Sequence, residues 1–579
     1  MRKQHLSIAA ALILVASLRL SSAQSTSADL VLINGKIWTG EPYLAPGQKA
    51  RPSKVVEAVA IRDGRFLVVG TDADVRSAIG PATRVIDLQG RMAMPGINDA
   101  HVHFVLGSAQ LTQVYLKDTK SQQEFTQRIA DFAKTKRPGE WILGGNWDET
   151  NWPGGKLPTS VLIDAVTPNN PVYVKRYDGH EALMNTLAMK LAGISKSTKE
   201  PVGGKIERLS NGEPAGVIKD SVRDIVEPQI SPFSPEEFEQ VVRAGLRELS
   251  KDGVTSVGDM NYGQRAPSGS PADLVELLQR AERDGWLTAR FNSIIPVDKI
   301  TLLTDLGASR HFGDDWVRVG GLKAYADGSI GSRTGWFFDD YTDEPGFRGI
   351  PRVSMNPRSN METAVKTAMA HHLQLNVHAV GDRANAEMLD VIQQFAGAQA
   401  PQYRFRIEHA QHVRPQDFAR FAKLGVIASM QPYHASDDGR FVDDRIGRQR
   451  SKSSYAWRSM LDADAPLAFG SDWPIAPIDP MTGIWAAVSR ATTDGKTPGG
   501  WIPEQKITME ETLRAYTQGS AYAEFEEGNK GTITAGKLAD IIVLSQDLFA
   551  IPTDQILQTK VFTTIVNGKV VYQAEEKQK

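Results

Sequence analysis

Apolar positions along this chain follow two rhythms, and the change from one to the other divides it. From Ala28 to Ile97 they come in short runs broken by turns: Leu30-Val-Leu-Ile-Asn-Gly35, Val59-Ala-Ile-Arg-Asp-Gly64-Arg-Phe-Leu-Val-Val-Gly70 and Val85-Ile-Asp-Leu-Gln-Gly90. Asn-Gly and Asp-Gly between such runs are hairpin signals. The same texture returns in Leu538-Ala-Asp-Ile-Ile-Val-Leu544 and Val561-Phe-Thr-Thr-Ile-Val-Asn-Gly568-Lys-Val-Val-Tyr572. The pattern predicts one small β-sandwich built from residues 24–95 and 523–579, with residues 96–522 inserted into it.

In that middle stretch the pattern becomes strand, helix, strand. Eight buried strands are predicted, in Met94–His103, Gly253–Gly258, Thr288–Ile294, Gly321–Tyr325, Leu375–Val380, Arg404–Ala410, Val426–Gln431 and Leu467–Asp472. Helical stretches such as Pro235–Leu249 and Met361–His372 separate most of them. Alternating strands and helices imply parallel βαβ units. Eight of them imply an α/β chain with a (β/α)8 TIM barrel, whose functional groups sit at the C-terminal ends of strands. Residues from about 110 to 235, between the first two strands, carry Trp141, Trp147, Trp152, Tyr173 and Tyr177 among many glycines and prolines. So long a connection predicts an inserted subdomain over the barrel mouth.

Composition narrows the function. The net charge is -2 with 23% charged residues, so no basic face invites nucleic acid, and a small-molecule substrate is the expected partner. Met1-Arg-Lys-Gln-His, an apolar run from Leu6 to Leu18 and the small residues Ser21-Ser-Ala23 read as a signal peptide over residues 1–23. That implies export to a periplasmic or extracellular location and no membrane association after cleavage. Homodimerisation is left open. With no cysteine in the chain, metal ligands must be N or O donors.

The chemistry lies at the strand ends. His101 and His103 are two apart on a strand, so both side chains face one way and can hold one cation. Joined by His378, His409 and Asp472 at other strand ends, they read as a metal site. Lys323 is the odd member, since cations repel an ammonium. Buried there its amine should lose its proton and could add carbon dioxide, giving a carbamate that bridges two metals. An ordinary ion pair with Asp327 is the other reading of Lys323. Glu408, next to a ligand, should by alternation point away from it and play a supporting role.

Taken together, Pro95-Gly-Ile-Asn-Asp-Ala-His-Val-His103, Lys323, His378, His409 and Asp472 resemble the metal-dependent amidohydrolase superfamily. Leu322–Arg333 and Asp178–Asn185 are similar to its branch of N-substituted formamide deformylases and exoenzyme-regulatory-protein-like amidohydrolases. The resemblance implies two divalent ions, zinc being most suited to the donors. His101, His103 and Asp472 would hold one, His378 and His409 the other, with carbamylated Lys323 bridging. It further implies hydrolysis of a C–N amide bond of an N-acyl or N-formyl amine by metal-activated hydroxide. Asp472 would serve as general base and acid, and His180 would assist the oxyanion. Asp327, Arg333, Trp147, Tyr177 and Trp336 are candidate substrate contacts.

Two alternatives remain: a deaminase with one metal, and a secreted binding or regulatory protein without turnover. Related deaminases place a Glu shortly after the fifth-strand His, whereas here His378 is followed by Ala-Val-Gly-Asp-Arg. A retired site would be expected to lose ligands, and this one keeps the full set.

Overall fold

A computed structural model describes residues 27–575 except 50, 117, 177–180, 202–203, 221 and 261–264. The expected signal peptide therefore lies outside the described residues. Among the described residues no helix is long and apolar enough to cross a membrane.

Eight strands form the central sheet: β1 (Ile97–Val102), β2 (Val254–Asp259), β3 (Arg290–Pro296), β4 (Val317–Tyr325), β5 (Gln374–Ala379), β6 (Arg406–His409), β7 (Ile427–Met430) and β8 (Leu467–Phe469). Every neighbouring pair is parallel. A parallel bridge from Val102 to Trp473 joins β1 to the segment after β8 and closes the ring at its C-terminal end. Burial on both faces explains why these strands read as apolar runs rather than as alternations. The barrel expected from the sequence is present, with each strand within a few residues of its predicted position.

Helices cover the outside. The helix Pro235–Lys251 starts on a capping box between Ser234 and Glu237 with proline in its first turn, and it buries Phe238, Val241, Val242, Leu246 and Leu249. Ser359–Ala370 packs Met361, Ala364, Val365 and Ala368 inward in the same way.

The two chain ends meet in a sandwich. One sheet has the order Arg65–Gly70, Ala58–Arg62, Leu30–Ile33, Arg84–Asp87. In the other, Met92–Pro95 lies beside Ile541–Leu544, so N-terminal and C-terminal segments share one ladder. Their common core includes Leu32, Ile37, Ile61, Phe66, Ile541, Val543 and Ile565. Met92–Pro95 leads through Gly96 straight into β1, so the sandwich anchors the strand that carries His101.

Between β1 and β2 a further six-stranded sheet is inserted. Its strand Ile142–Trp147, next to one edge, contains Gly144 and Gly145 at φ of +111° and +115°. A Cβ on Gly145 would stand 2.3 Å from the Lys175 carbonyl oxygen, so only glycine fits between the paired strands.

Candidate metal centre

β1 and the end of β8 are held in register by backbone bonds at the site itself. Asp472 N donates to His101 O at 2.7 Å, and His103 N donates to Trp473 O at 2.8 Å. The buried Asp99 carboxylate ties the same two segments, accepting from His101 N (3.1 Å) and Ser471 N (2.9 Å). Burial pushes Asp99 up to about 7.

Around this staple the expected ligands converge. Asp472 Oδ1 lies 3.2 Å from His103 Nε2 and 3.5 Å from His101 Nε2. The His101 ring is centred 5.1 Å from that of His409, which is 4.5 Å from that of His378. Lys323 Nζ stands 3.4 Å from His101 Nε2. The tightest grouping is His101, His409 and Asp472, whose ligand atoms lie within 4.8 Å of one another. It spans both of the ligand groups that the resemblance implies.

Three of these imidazoles have one nitrogen committed to a fixed acceptor. His101 Nδ1 donates to Glu408 Oε2 at 2.7 Å, His409 Nδ1 to Gln431 Oε1 at 2.7 Å, and His378 Nε2 to the Gly328 carbonyl at 3.0 Å. In a neutral ring the opposite nitrogen is then a lone pair ready for a cation, which is how metal-binding histidines are oriented.

The charges agree with that tautomer. Burial, reinforced by Lys323, lowers His101 to about 4 and His378 to about 3, and burial beside His378 takes His409 well below the usual histidine range. Burial alone would raise Asp472, but His101, His103 and His409 hold it well below the ordinary carboxylate range. Burial brings the Lys323 amine down to about 8. Asp472 Oδ1 is buried and makes no hydrogen bond among the described residues. A buried carboxylate oxygen facing two imidazole nitrogens is the kind of orphan that a cation satisfies. The donor set, imidazole and carboxylate, suits zinc.

Strain marks the same place. His409, Ala410 and Asp472 have φ of 74°, 42° and 63°, in the left-handed region that residues with a Cβ avoid. The turn at His409 also overrides strand alternation. Glu408 points into the barrel rather than away from the site, fully buried, bonded to His101 and 2.8 Å from Arg406 Nε. Burial would raise its carboxyl, but Arg406 and His101 hold it far below the usual range.

Other candidates have different occupations. Asp327 is not paired with Lys323. Its carboxylate accepts from the backbone amides of Val380 (2.9 Å), Gly381 (2.7 Å) and Trp336 (2.7 Å), fixing the loop after β4. Asp327 Oδ1 also lies 3.7 Å from His378 Nε2. Arg333 is engaged with Asp343 at 2.9 Å on the surface, and the Trp336 ring carries the Arg383 guanidinium 4.5 Å above it. Trp147 is wholly buried in the inserted subdomain, where it donates to Val174 O at 2.9 Å and packs on Trp152, so it lines no pocket. Tyr177 and His180 lie outside the described residues. Sequence reasoning missed Gln431 and His434, although both follow β7, where barrel loops carry function.

The sequence profile of the Amidohydrolase family matches residues 84–572 of this chain. Protein LONG AFTER FAR-RED 3 of Arabidopsis thaliana is 36% identical over 94% of this chain and 92% of its own length. N-substituted formamide deformylase of Arthrobacter pascens is 26% identical over 94% and 98%. The solved structure of an uncharacterized metal-dependent hydrolase from Pyrococcus furiosus superposes with a TM-score of 0.73 at 27% identity, covering 90% of this chain and 99% of that one.

Proposed function

Since the chain belongs to the amidohydrolase family, a family of metal-dependent hydrolases, we propose that it cleaves the C–N bond of an N-acyl or N-formyl amine. The observation that carries this reading is the convergence of His101, His103, His378, His409 and Asp472 at the C-terminal mouth of the barrel. Ring nitrogens of His101, His378 and His409 are pinned to outer acceptors there. These five side chains would hold two divalent ions, with zinc the best match to the donors.

Lys323 would complete the set as a carbamate. Its amine is buried, and among the described residues it forms no ion pair with a carboxylate, so burial lowers it to about 8 and makes the neutral form more accessible than in a free lysine. Addition of carbon dioxide to the neutral amine would form an N–C bond and release one proton, giving an anionic group that would serve as a bridging ligand. When bound, divalent ions supply Lewis acidity that polarises the substrate carbonyl and makes water a nucleophile near neutral pH.

The remaining steps belong to the chain. Asp472, held ionised by its imidazole neighbours, accepts the proton of the attacking water and returns it to the departing amine nitrogen. The products are a carboxylate and an amine. The N-formyl amine is included because of the likeness to the formamide deformylase.

The test is Asp472→Asn assayed on a panel of N-formyl and N-acyl amines. Asparagine still offers an oxygen but cannot carry a proton. The variant should keep much of its metal while kcat falls roughly 10²–10⁴-fold. Undiminished turnover in that variant would remove Asp472 from the mechanism.

A further inference from the structure

A fifth imidazole faces this site without having been counted as a ligand. β7 ends at Met430, and after Gln431 the short helix Pro432–Asp438 begins with proline in its first turn. Gln431 braces His409. Two positions into the helix beyond Pro432, the ring of His434 lies nearly parallel to that of His409, with centroids 6.0 Å apart and planes at 14°. Its Nε2 is buried without a hydrogen-bond partner among the described residues and stands 3.7 Å from Asp472 Oδ2.

The two oxygens of Asp472 therefore face different groups. Oδ1 looks toward His101 and His103, and Oδ2 looks toward His434. A separation of 3.7 Å is slightly beyond a hydrogen bond, and a small rotation of either side chain closes it. A buried N–H with no acceptor is costly, and the Asp472 carboxylate 3.7 Å away offers one.

We propose that His434 is a positioning residue for Asp472, donating from Nε2 to Oδ2 so that Oδ1 stays turned toward the cation. The proposal rests on the metal reading given above but not on the identity of the substrate. Outer partners of this kind set ligand orientation, and their loss typically weakens metal binding by about 10–100-fold. Gln431 does this for His409 and Glu408 does it for His101. His434 would extend the same device to the carboxylate ligand.

The experiment uses the full chain and Zn²⁺ alone, with affinity measured by competition against a chromophoric chelator. His434→Ala should bind zinc about 10–100-fold more weakly than the parent, with the melting temperature of the metal-free protein unchanged. His434→Phe keeps the flat ring against His409 but has no donor, so it should show the same loss. His434→Gln restores an N–H donor and should recover most of the affinity. The Co²⁺-loaded protein should report the same order through its visible absorption, which responds to carboxylate geometry. Parental zinc affinity in both His434→Ala and His434→Phe would overturn the proposal. A parent that takes up no zinc would overturn the metal reading together with it. A parent that binds zinc but turns over no amide would count against the proposed reaction alone.

Discussion

Glu408 shows at the residue scale how a single side chain can support both the fold and the site. It is buried between Arg406 and His101, so its charge neutralises a guanidinium inside the barrel while fixing the His101 tautomer. Replacing it by glutamine keeps the shape but leaves Arg406 uncompensated. Breaking a buried pair from one side costs about 3–5 kcal/mol. Glu408→Gln should therefore melt well below the parent and bind zinc more weakly, both readable by calorimetry with and without added metal. Parental stability would mean that Arg406 finds its compensation elsewhere. The role of this residue was only half legible in the sequence. Alternation sends Glu408 away from its neighbour His409, and that rule fails because His409 adopts a positive φ, which no residue pattern announces. The members of the His101, His409 and Asp472 cluster were legible, since histidines and an aspartate ending apolar runs have few other uses in a barrel.

Individual elements carry their own balance of burial and charge. Within the inserted sheet, Trp147 is packed against Trp152 and Phe125 contributes to the same core. Trp147→Ala should cost this subdomain about 3–5 kcal/mol. The expected outcome is faster proteolytic cleavage between residues 114 and 220 with zinc content unchanged. Loss of metal instead would mean that the insertion helps to build the site. The helix Pro235–Lys251 ends at Asp252, which burial, aided by Asp479, raises to about 7. A carboxyl raised in the folded state binds its proton more tightly there than in the unfolded chain. Its stabilising contribution is complete below about pH 4 and is lost as pH climbs through about 7. Asp252→Asn should thus stabilise the protein by about 1–2 kcal/mol at pH 8 and by less at pH 5, measured by urea unfolding. An equal effect at both values would mean the carboxyl titrates normally. Strand and helix positions followed from periodicity, whereas the purpose of the tryptophans did not. An aromatic residue in a glycine-rich insertion looks the same in a pocket wall as in a core, and only the packing around Trp147 distinguishes them.

Over the whole molecule, the sandwich made from both chain ends holds the first barrel strand from below, and the insertion rises from the loop that follows it. His101 and His103 therefore sit at the far end of the strand that the sandwich anchors, just before the insertion begins. Two-ended sandwich and barrel were both readable in the sequence, because turn-punctuated strands at each end contrast with strand–helix alternation between them. The order of the candidate ligands around the ring followed from chain order alone. What gathers His101, His409 and Asp472 into one cluster is the closure of β1 against β8, a long-range event that local pattern does not encode. The central claim is that this closure builds a two-metal centre bridged by Lys323. The most direct test is elemental analysis of the purified chain after exhaustive dialysis against metal-free buffer. The account predicts close to two zinc-like ions per chain, falling to one or fewer in Lys323→Ala. A parent chain that retains no divalent metal would contradict it.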